Sequence, residues 1–438
     1  MSAPASDYSL TASPGRRLPV AVRAEGLRIY DREGNEWLDA CGGAMVMSLG
    51  HCHPRLVEAV RRQAERLTFT YRFSFSNEPM AELAGLIREI APMPEAWAFF
   101  NSSGSESVES AIHMAVLYYK HLGRSSKLEL ISRFPSYHGS TLGALGLSGS
   151  RWRQPFELIL EKNAVAQAPC ADIRARRTQE QELAFGLEQI EDAIVSRGAD
   201  HVAAVFLEAI SGASAAAVVP PPGYVEGVRE LCDRYDVLMV VDETITGFGR
   251  TGAWWGSSHY GVAPDIVTFA KGVTSGITPF SGMAVSAGIA EVFAAAPEGF
   301  PWGHTFSGNP LGCAVAAETI RVIREEGLLD NAAAMGDRLR AGLERIAATS
   351  PHIGQVRGMG LLQGLELVED LATLEPLAGG SARLTAAARD QRLMIYSCPT
   401  PLGRRTIEAV MLAPPLTVTA EEVDDVLDRL ARAVNALG

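Results

Sequence analysis

Two charged residues stand where apolar strands should end. The run Val237-Leu238-Met239-Val240-Val241 stops at Asp242, and Ile266-Val267-Thr268-Phe269-Ala270 stops at Lys271. A charge at the end of a core strand costs several kcal/mol unless it is paired or serves chemistry. In open α/β sheets ligands bind just beyond the carboxyl ends of the strands, where both side chains would sit. These positions therefore point to an acid and an amine sharing one pocket. A lysine of depressed pKa is a nucleophile and a proton carrier, which arginine cannot be. Of the 39 basic residues only Lys120, Lys127, Lys162 and Lys271 are lysine. The first three stand among polar neighbours and read as surface groups. Lys271 alone follows an apolar strand and precedes a glycine. A third apolar run, Val202-Ala203-Ala204-Val205-Phe206-Leu207, ends in Glu208.

The elements that must position these residues follow from periodicity. A helix over 224–235 between the Glu208 and Asp242 strands makes a strand-helix-strand unit of the parallel-sheet type. Helical spacing is also found over 54–67 and 78–90. Phe99-Phe100-Asn101-Ser102-Ser103-Gly104-Ser105-Glu106 opens a helix with apolar Val108, Ala111, Ile112, Ala115, Val116 and Tyr119 on one face. Its Ser/Gly turn presents free N–H groups suited to a phosphate, but the same residues are ordinary caps. A strand over 128–131 leads to Tyr137-His138-Gly139, where Tyr137 is available to stack on a flat ligand. Glycine-rich 246–252 and polar 303–310 read as loops, the second preceding a long helix over 311–326. Short antiparallel strands are expected over 18–40, ending in the compact loop Cys41-Gly42-Gly43-Ala44-Met45. The C-terminal part reads as a helix (330–348), strands (355–357 and 360–368), a helix (382–391), a strand near Met411 and a last helix (420–437).

Composition excludes several classes of function. A chain of 438 residues, 47% hydrophobic, is long enough for two or three domains. A net charge of -12 without a basic run argues against nucleic acid as a partner. The longest apolar stretches are strand-sized, too short for a bilayer span, and residues 1–14 lack the pattern of a signal peptide, so a cytoplasmic protein is expected. Six cysteines without a Cys-x-x-Cys pair suggest neither a disulfide framework nor a zinc site, and should be reduced and mostly buried. Nor do His51-Cys52-His53 suggest a metal site, because adjacent side chains on an extended segment diverge.

Seven motifs, in one order along the chain, resemble the class III aminotransferases. They are Leu49-Gly50-His51-Cys52-His53-Pro54, Ser103-Gly104-Ser105-Glu106, Tyr137-His138-Gly139, Asp242-Glu243 with Thr246-Gly247-Phe248-Gly249-Arg250-Thr251-Gly252, Lys271-Gly272, His304-Thr305-Phe306-Ser307-Gly308-Asn309-Pro310, and Pro414-Pro415-Leu416. The resemblance implies an α/β fold, the fold type I of aspartate aminotransferase, in which a large domain with a mostly parallel sheet carries a smaller α+β domain. It implies pyridoxal 5'-phosphate as cofactor. The expected division is 1–60 as an N-terminal segment joining the small domain, 61–315 as the cofactor-binding domain and 316–438 as the small domain. Asp242 would face the protonated ring nitrogen, so that the ring accepts electrons from a carbanion. Lys271 would form a Schiff base with the aldehyde, be displaced by the substrate amine and shuttle the proton. By the same resemblance Gly104 and Ser105, beside Ser103, would hold the phosphate. Tyr137, next to His138, would stack on one ring face, and Thr244 would pack on the other. Thr305 would reach the phosphate from the neighbouring subunit, which makes a homodimer with shared active sites the expected assembly.

Departures bear on the details. Glu208-Ala209 stands where the family commonly has Glu-Pro, and Glu208 would lie near Asp242 or pair with a gating arginine. Ile245 replaces a glutamine that usually bonds the ring hydroxyl. Ala44 and Met45 match substrate-pocket positions that are often aromatic, which suggests a roomy apolar pocket. Arg404 or Arg405 matches in spacing an arginine that binds the keto acid's carboxylate, but a surface role fits equally. The expected reaction moves an amino group from an amine or ω-amino acid to a keto acid such as pyruvate. An aminomutase, epimerase or decarboxylase on the same cofactor, or a non-catalytic cofactor-binding protein, stays open at this point.

Overall fold

Strand ends that deliver charges to one place require neighbouring parallel strands, and the computed structural model has them. It describes residues 18–149, 153–160, 163–402 and 405–437. Three short strands come first: β1 (Ala21–Glu25), β2 (Arg28–Asp31) and β3 (Glu36–Asp39), joined antiparallel. The central sheet follows, from β4 (Trp97–Asn101), β5 (Glu129–Phe134), β6 (Ala164–Gln167), β7 (Val202–Leu207), β8 (Leu238–Asp242), β9 (Ile266–Phe269) and β10 (Ser281–Val285). Their order is β4-β10-β9-β8-β7-β5-β6. From β9 to β6 neighbouring strands run parallel, whereas β10 is antiparallel to both β9 and β4.

Every residue of β7, β8 and β9 is buried, the near-continuous apolar pattern of strands covered on both faces. Helices Gly104–His121 and Tyr224–Tyr235 supply that cover, and Gln179–Arg197 packs beside the second of them over β5 and β6. The helix Pro310–Glu325 starts where Asn309 caps Gly312 N–H at 2.7 Å with proline in the first turn, a start signal satisfied by both residue types. The C-terminal third adds β11 (Ile353–Met359), β12 (Leu362–Leu367), β13 (Leu393–Met394), β14 (Tyr396–Ser397), β15 (Thr400–Leu402) and β16 (Arg405–Leu412). Short β13 leaves its neighbours and pairs parallel with β3, tying the first strands to this end of the chain.

One difference from the sequence reading has a clear cause. Lys127 is buried, not on the surface: its ammonium donates to the carbonyls of Val202 (3.1 Å) and Asp236 and lies over the Tyr119 ring. Lys120 is exposed, and Lys162 lies outside the described residues. The six cysteines are all free and mostly buried, as expected, with Cys52 exposed and Cys170 partly so. Among the described residues no helix is long and apolar enough to cross a membrane.

Candidate active site

β7, β8 and β9 lie side by side, so their carboxyl ends bring Glu208, Asp242 and Lys271 to one cavity. That cavity, of about 170 Å³, is also lined by Gly104, Ser105, Tyr137, His138, Gly139, Thr244 and Ile245. A second cavity of about 250 Å³ shares Tyr137, Glu208, Ile245 and Lys271, and is walled by Ala44, Met45, Ala213, Ser214 and the strip Tyr396 to Pro401. Lys271 thus faces both a cofactor-sized recess and an apolar antechamber.

Asp242 is held on three sides. Its Oδ1 accepts Thr244 N–H (3.0 Å) and the Thr268 hydroxyl (3.1 Å), and its Oδ2 lies 2.9 Å from His138 Nδ1. Burial pushes its pKa up, but the His138 hydrogen bond and charge, with the Thr244 contacts, outweigh this and hold it below the usual carboxylate range. With Asp242 ionised, His138 Nδ1 is the donor. Glu208 behaves differently. Burial raises its pKa against the opposing pull of His138, Arg133 and the N–H of Gly212. Gly212 N–H donates to Glu208 Oε1 at 3.1 Å, and Arg133 donates to the Glu208 carbonyl at 2.6 Å with its guanidinium 4.0 Å from Oε2.

Lys271 sits just past β9 with a φ of 46°, a left-handed conformation that a non-glycine residue adopts at a cost of about 1–3 kcal/mol. Such strain persists only where surrounding structure enforces it, and here Ser48 Oγ donates to the Gly272 carbonyl at 2.8 Å. The ammonium has no hydrogen bond or ion pair among the described residues. Burial lowers its pKa to about 8, with Asp242 and Glu208 pulling the other way. A lysine with a lowered pKa and no partner, facing a recess, is primed as a nucleophile.

The phosphate end is built from the helix Gly104–His121. Its first N–H groups, at Gly104 and Ser105, have no partner within the helix and carry its positive dipole end. A Cβ on Gly104 would touch Thr244 and Ala270 at 3.4 Å, so this turn packs directly on the recess. Gly139, at φ 140°, lets the Tyr137 loop pass against that helix: a Cβ there would lie 2.6 Å from Ser105 Oγ, which accepts Ser140 N–H at 3.1 Å.

Not every expected residue joins the recess. Ser103 caps the helix through Glu106 N–H and lines neither cavity. Thr305 is exposed and also lines neither. Arg404 lies outside the described residues, and Arg405 pairs with Glu375 at 2.9 Å on the surface. Ile245 joins an apolar wall with Met45 and Tyr396, where the missing side chain of Gly212 makes room: a Cβ would stand 2.4 Å from Ile245 Cδ1. Sequence reasoning missed the His138 contact, the Arg133 clamp and the strip Tyr396 to Pro401. A charge inside the strand Glu129–Phe134 was the one signal available for Arg133.

The residues present fit pyridoxal phosphate: an anion cup at one end, a ring at Tyr137, an ionised carboxylate at Asp242 and an unpartnered amine at Lys271. The match to known proteins decides the family. Residues 11–434 match the family model for aminotransferase class-III. The chain belongs to the class III aminotransferases. It is 36% identical to a taurine–pyruvate aminotransferase of Rhodobacter capsulatus over 95% of the chain and 92% of that protein. It is 33% identical to a putrescine–pyruvate aminotransferase of Pseudomonas aeruginosa, covering 99% of the chain and 95% of that protein. Among solved structures, an omega transaminase of Pseudomonas jessenii in complex with PMP has a TM-score of 0.88 at 32% identity, covering 96% of this chain and 92% of that one. An (S)-enantioselective omega-transaminase from Thermomicrobium roseum has a TM-score of 0.89 at 35% identity, covering 96% and 93%. This aminotransferase is therefore an enzyme of fold type I that uses pyridoxal phosphate.

Proposed function

We propose that this class III aminotransferase takes the amino group of an amine or ω-amino acid and passes it to a keto acid such as pyruvate, with Lys271 as the cofactor's attachment point and proton carrier. The carrying observation is the meeting of a partnerless Lys271, an ionised Asp242 and an anion cup in one recess that opens into an apolar antechamber. Relatives that act on putrescine with pyruvate and on taurine with pyruvate support the reaction class.

The bound cofactor supplies an aldehyde for the amine and a ring that accepts an electron pair. Gly104 and Ser105 would hold its phosphate by their N–H groups, and Tyr137 and Thr244 would flank its ring. Asp242, kept anionic by His138 and Thr244, would favour a proton on the ring nitrogen. Lys271 Nζ, as the free amine, accepts the proton leaving the donor's amine-bearing carbon and later returns it. The apolar wall of Met45, Ala213, Ile245 and Tyr396 excludes water from that transfer and takes the donor's substituents. Ala44 leaves the antechamber roomy.

The active assembly is a homodimer. Phe69, Tyr71, Phe73, Phe75 and Phe306 are all exposed, and Phe69 meets Phe306 edge-on at 6.1 Å beside Thr305. An aromatic strip of this kind calls for a covering surface, and a second copy would bring Thr305 to the neighbouring phosphate cup. Size-exclusion chromatography with light scattering tests this; a monomer of full activity would contradict it. The reaction is tested by incubating the holoenzyme with a donor amine and no keto acid. It should stop after one equivalent, whereas continued turnover would indicate an internal shift, epimerisation or decarboxylation.

A further inference from the structure

The loop Cys41 to Met45, which carries two walls of the antechamber, turns sharply and ends in a strained residue. Gly42 and Gly43, at φ of 57° and 65°, use the freedom of glycine, whereas Met45, at 59°, holds a left-handed conformation that costs a non-glycine residue about 1–3 kcal/mol. One side chain gathers the loop. Asp39, the last residue of β3 and 1% exposed, accepts Gly43 N–H through both oxygens (3.0 and 2.9 Å). Its Oδ1 also accepts the Cys41 N–H (3.3 Å) and lies 3.4 Å from Cys41 Sγ. Its Oδ2 meets His51 Nε2 at 3.0 Å.

The loop's far end is fixed elsewhere. Gly42 accepts Val46 N–H at 2.8 Å, Ser48 Oγ donates to Gly272 next to Lys271, and Leu49 N–H donates to Ser275 Oγ at 2.8 Å. Ala44 and Met45 therefore span the gap between a carboxylate anchor and the turn of the reactive lysine. A shift at the anchor moves the antechamber wall while the lysine turn stays tied through Ser48.

We propose that Asp39, steadied by His51, is a specificity-positioning residue: it fixes the Cys41 to Met45 loop and so sets how bulky an amine can stand before Lys271. Asp39 lines neither cavity, and it acts through the loop. The inference rests on the antechamber being the donor pocket.

Asp39→Asn keeps the shape and removes the charge. Two measurements on the holoenzyme test it. By hydrogen–deuterium exchange, the amides of 43–45 should exchange about tenfold faster in Asp39→Asn, as expected for losing a charge-assisted hydrogen bond. In steady-state kinetics with pyruvate, the ratio of kcat/KM for 1-phenylethylamine to that for isopropylamine should change about tenfold, mainly through KM of the bulky donor. The visible band of lysine-bound cofactor should be unchanged. Equal losses for both donors, or unaltered exchange, would overturn the proposal. If Asp39→Asn does not fold, His51→Gln retains the carboxylate, and the same two readouts should move in the same direction by about threefold. No change in them would overturn it equally. A wild-type enzyme that moves no amine would defeat the donor-pocket reading, and the specificity claim with it, while the exchange result would still show whether Asp39 holds the loop.

Discussion

Lys127 is buried and Lys271 partly so, and desolvation lowers the pKa of each to about 8. Their surroundings nonetheless differ in kind. Lys127 donates to two backbone carbonyls and lies over the Tyr119 ring, so its charge is spent on closing a turn. Lys271 has no partner among the described residues, a strained backbone and two cavities before it. A depressed pKa therefore does not by itself set Lys271 apart; unmet bonding capacity facing open space does.

The largest expected effect separates the two directly. Lys271→Ala should lower transaminase turnover by about 10⁴-fold or more, with the fold retained. Lys127→Met should leave turnover per folded molecule near wild type but cost about 1–3 kcal/mol in urea unfolding, because two carbonyls lose their donor. An inactive but stable Lys127→Met would break the contrast.

A similar contrast holds between the neighbours Asp242 and Glu243, which point to opposite faces of their strand. Asp242 faces the recess. Glu243 faces inward, where it accepts Gly256 N–H (2.8 Å), Ser257 N–H (2.7 Å) and the Thr246 hydroxyl. Asp242→Asn should reduce kcat by about a hundredfold to a thousandfold with little change in stability. Glu243→Gln should instead lower stability by about 2 kcal/mol and leave kcat largely intact. Urea titration and single-donor kinetics on both variants sharpen the assignment.

The smallest effect is in pH dependence. Both lysines have folded-state pKa values below the ordinary value, so between about 8 and 10.5 the unfolded chain binds more protons than the folded one. Cofactor-free protein should therefore be least favoured, as far as these groups act, below pH 8 and gain stability as pH rises through that window. Lys127→Met and Lys271→Met should each flatten the rise in part, and urea midpoints at pH 7.5 and 9.5 would register it. An undiminished rise in either variant would show that its lysine is not the group that titrates.

How much of this was legible in the sequence depended on the range of the interaction. Val202–Leu207 and Tyr224–Tyr235 have the bounds their apolar patterns suggest, and the ends of three strands announce Glu208, Asp242 and Lys271. The helix Gln179–Arg197 escaped because glutamine and glutamate break up its apolar face. β10 gave no sign that it would enter a mainly parallel sheet the other way round. Long-range partners were out of reach: His138 and Asp242 stand 104 positions apart, Arg133 and Glu208 75. Lys127 was misread because its polar neighbours are exposed while its own stem turns under Tyr119. Local chemistry named the residues, but tertiary contacts supplied their partners.

The most direct test of the central claim is to reduce the holoenzyme with borohydride, digest it and map the cofactor by mass spectrometry. The account predicts a pyridoxyl group on the peptide carrying Lys271, with Lys127 unmodified. A cofactor fixed on Lys127 or another lysine, or none fixed in an enzyme that still turns over, would contradict it.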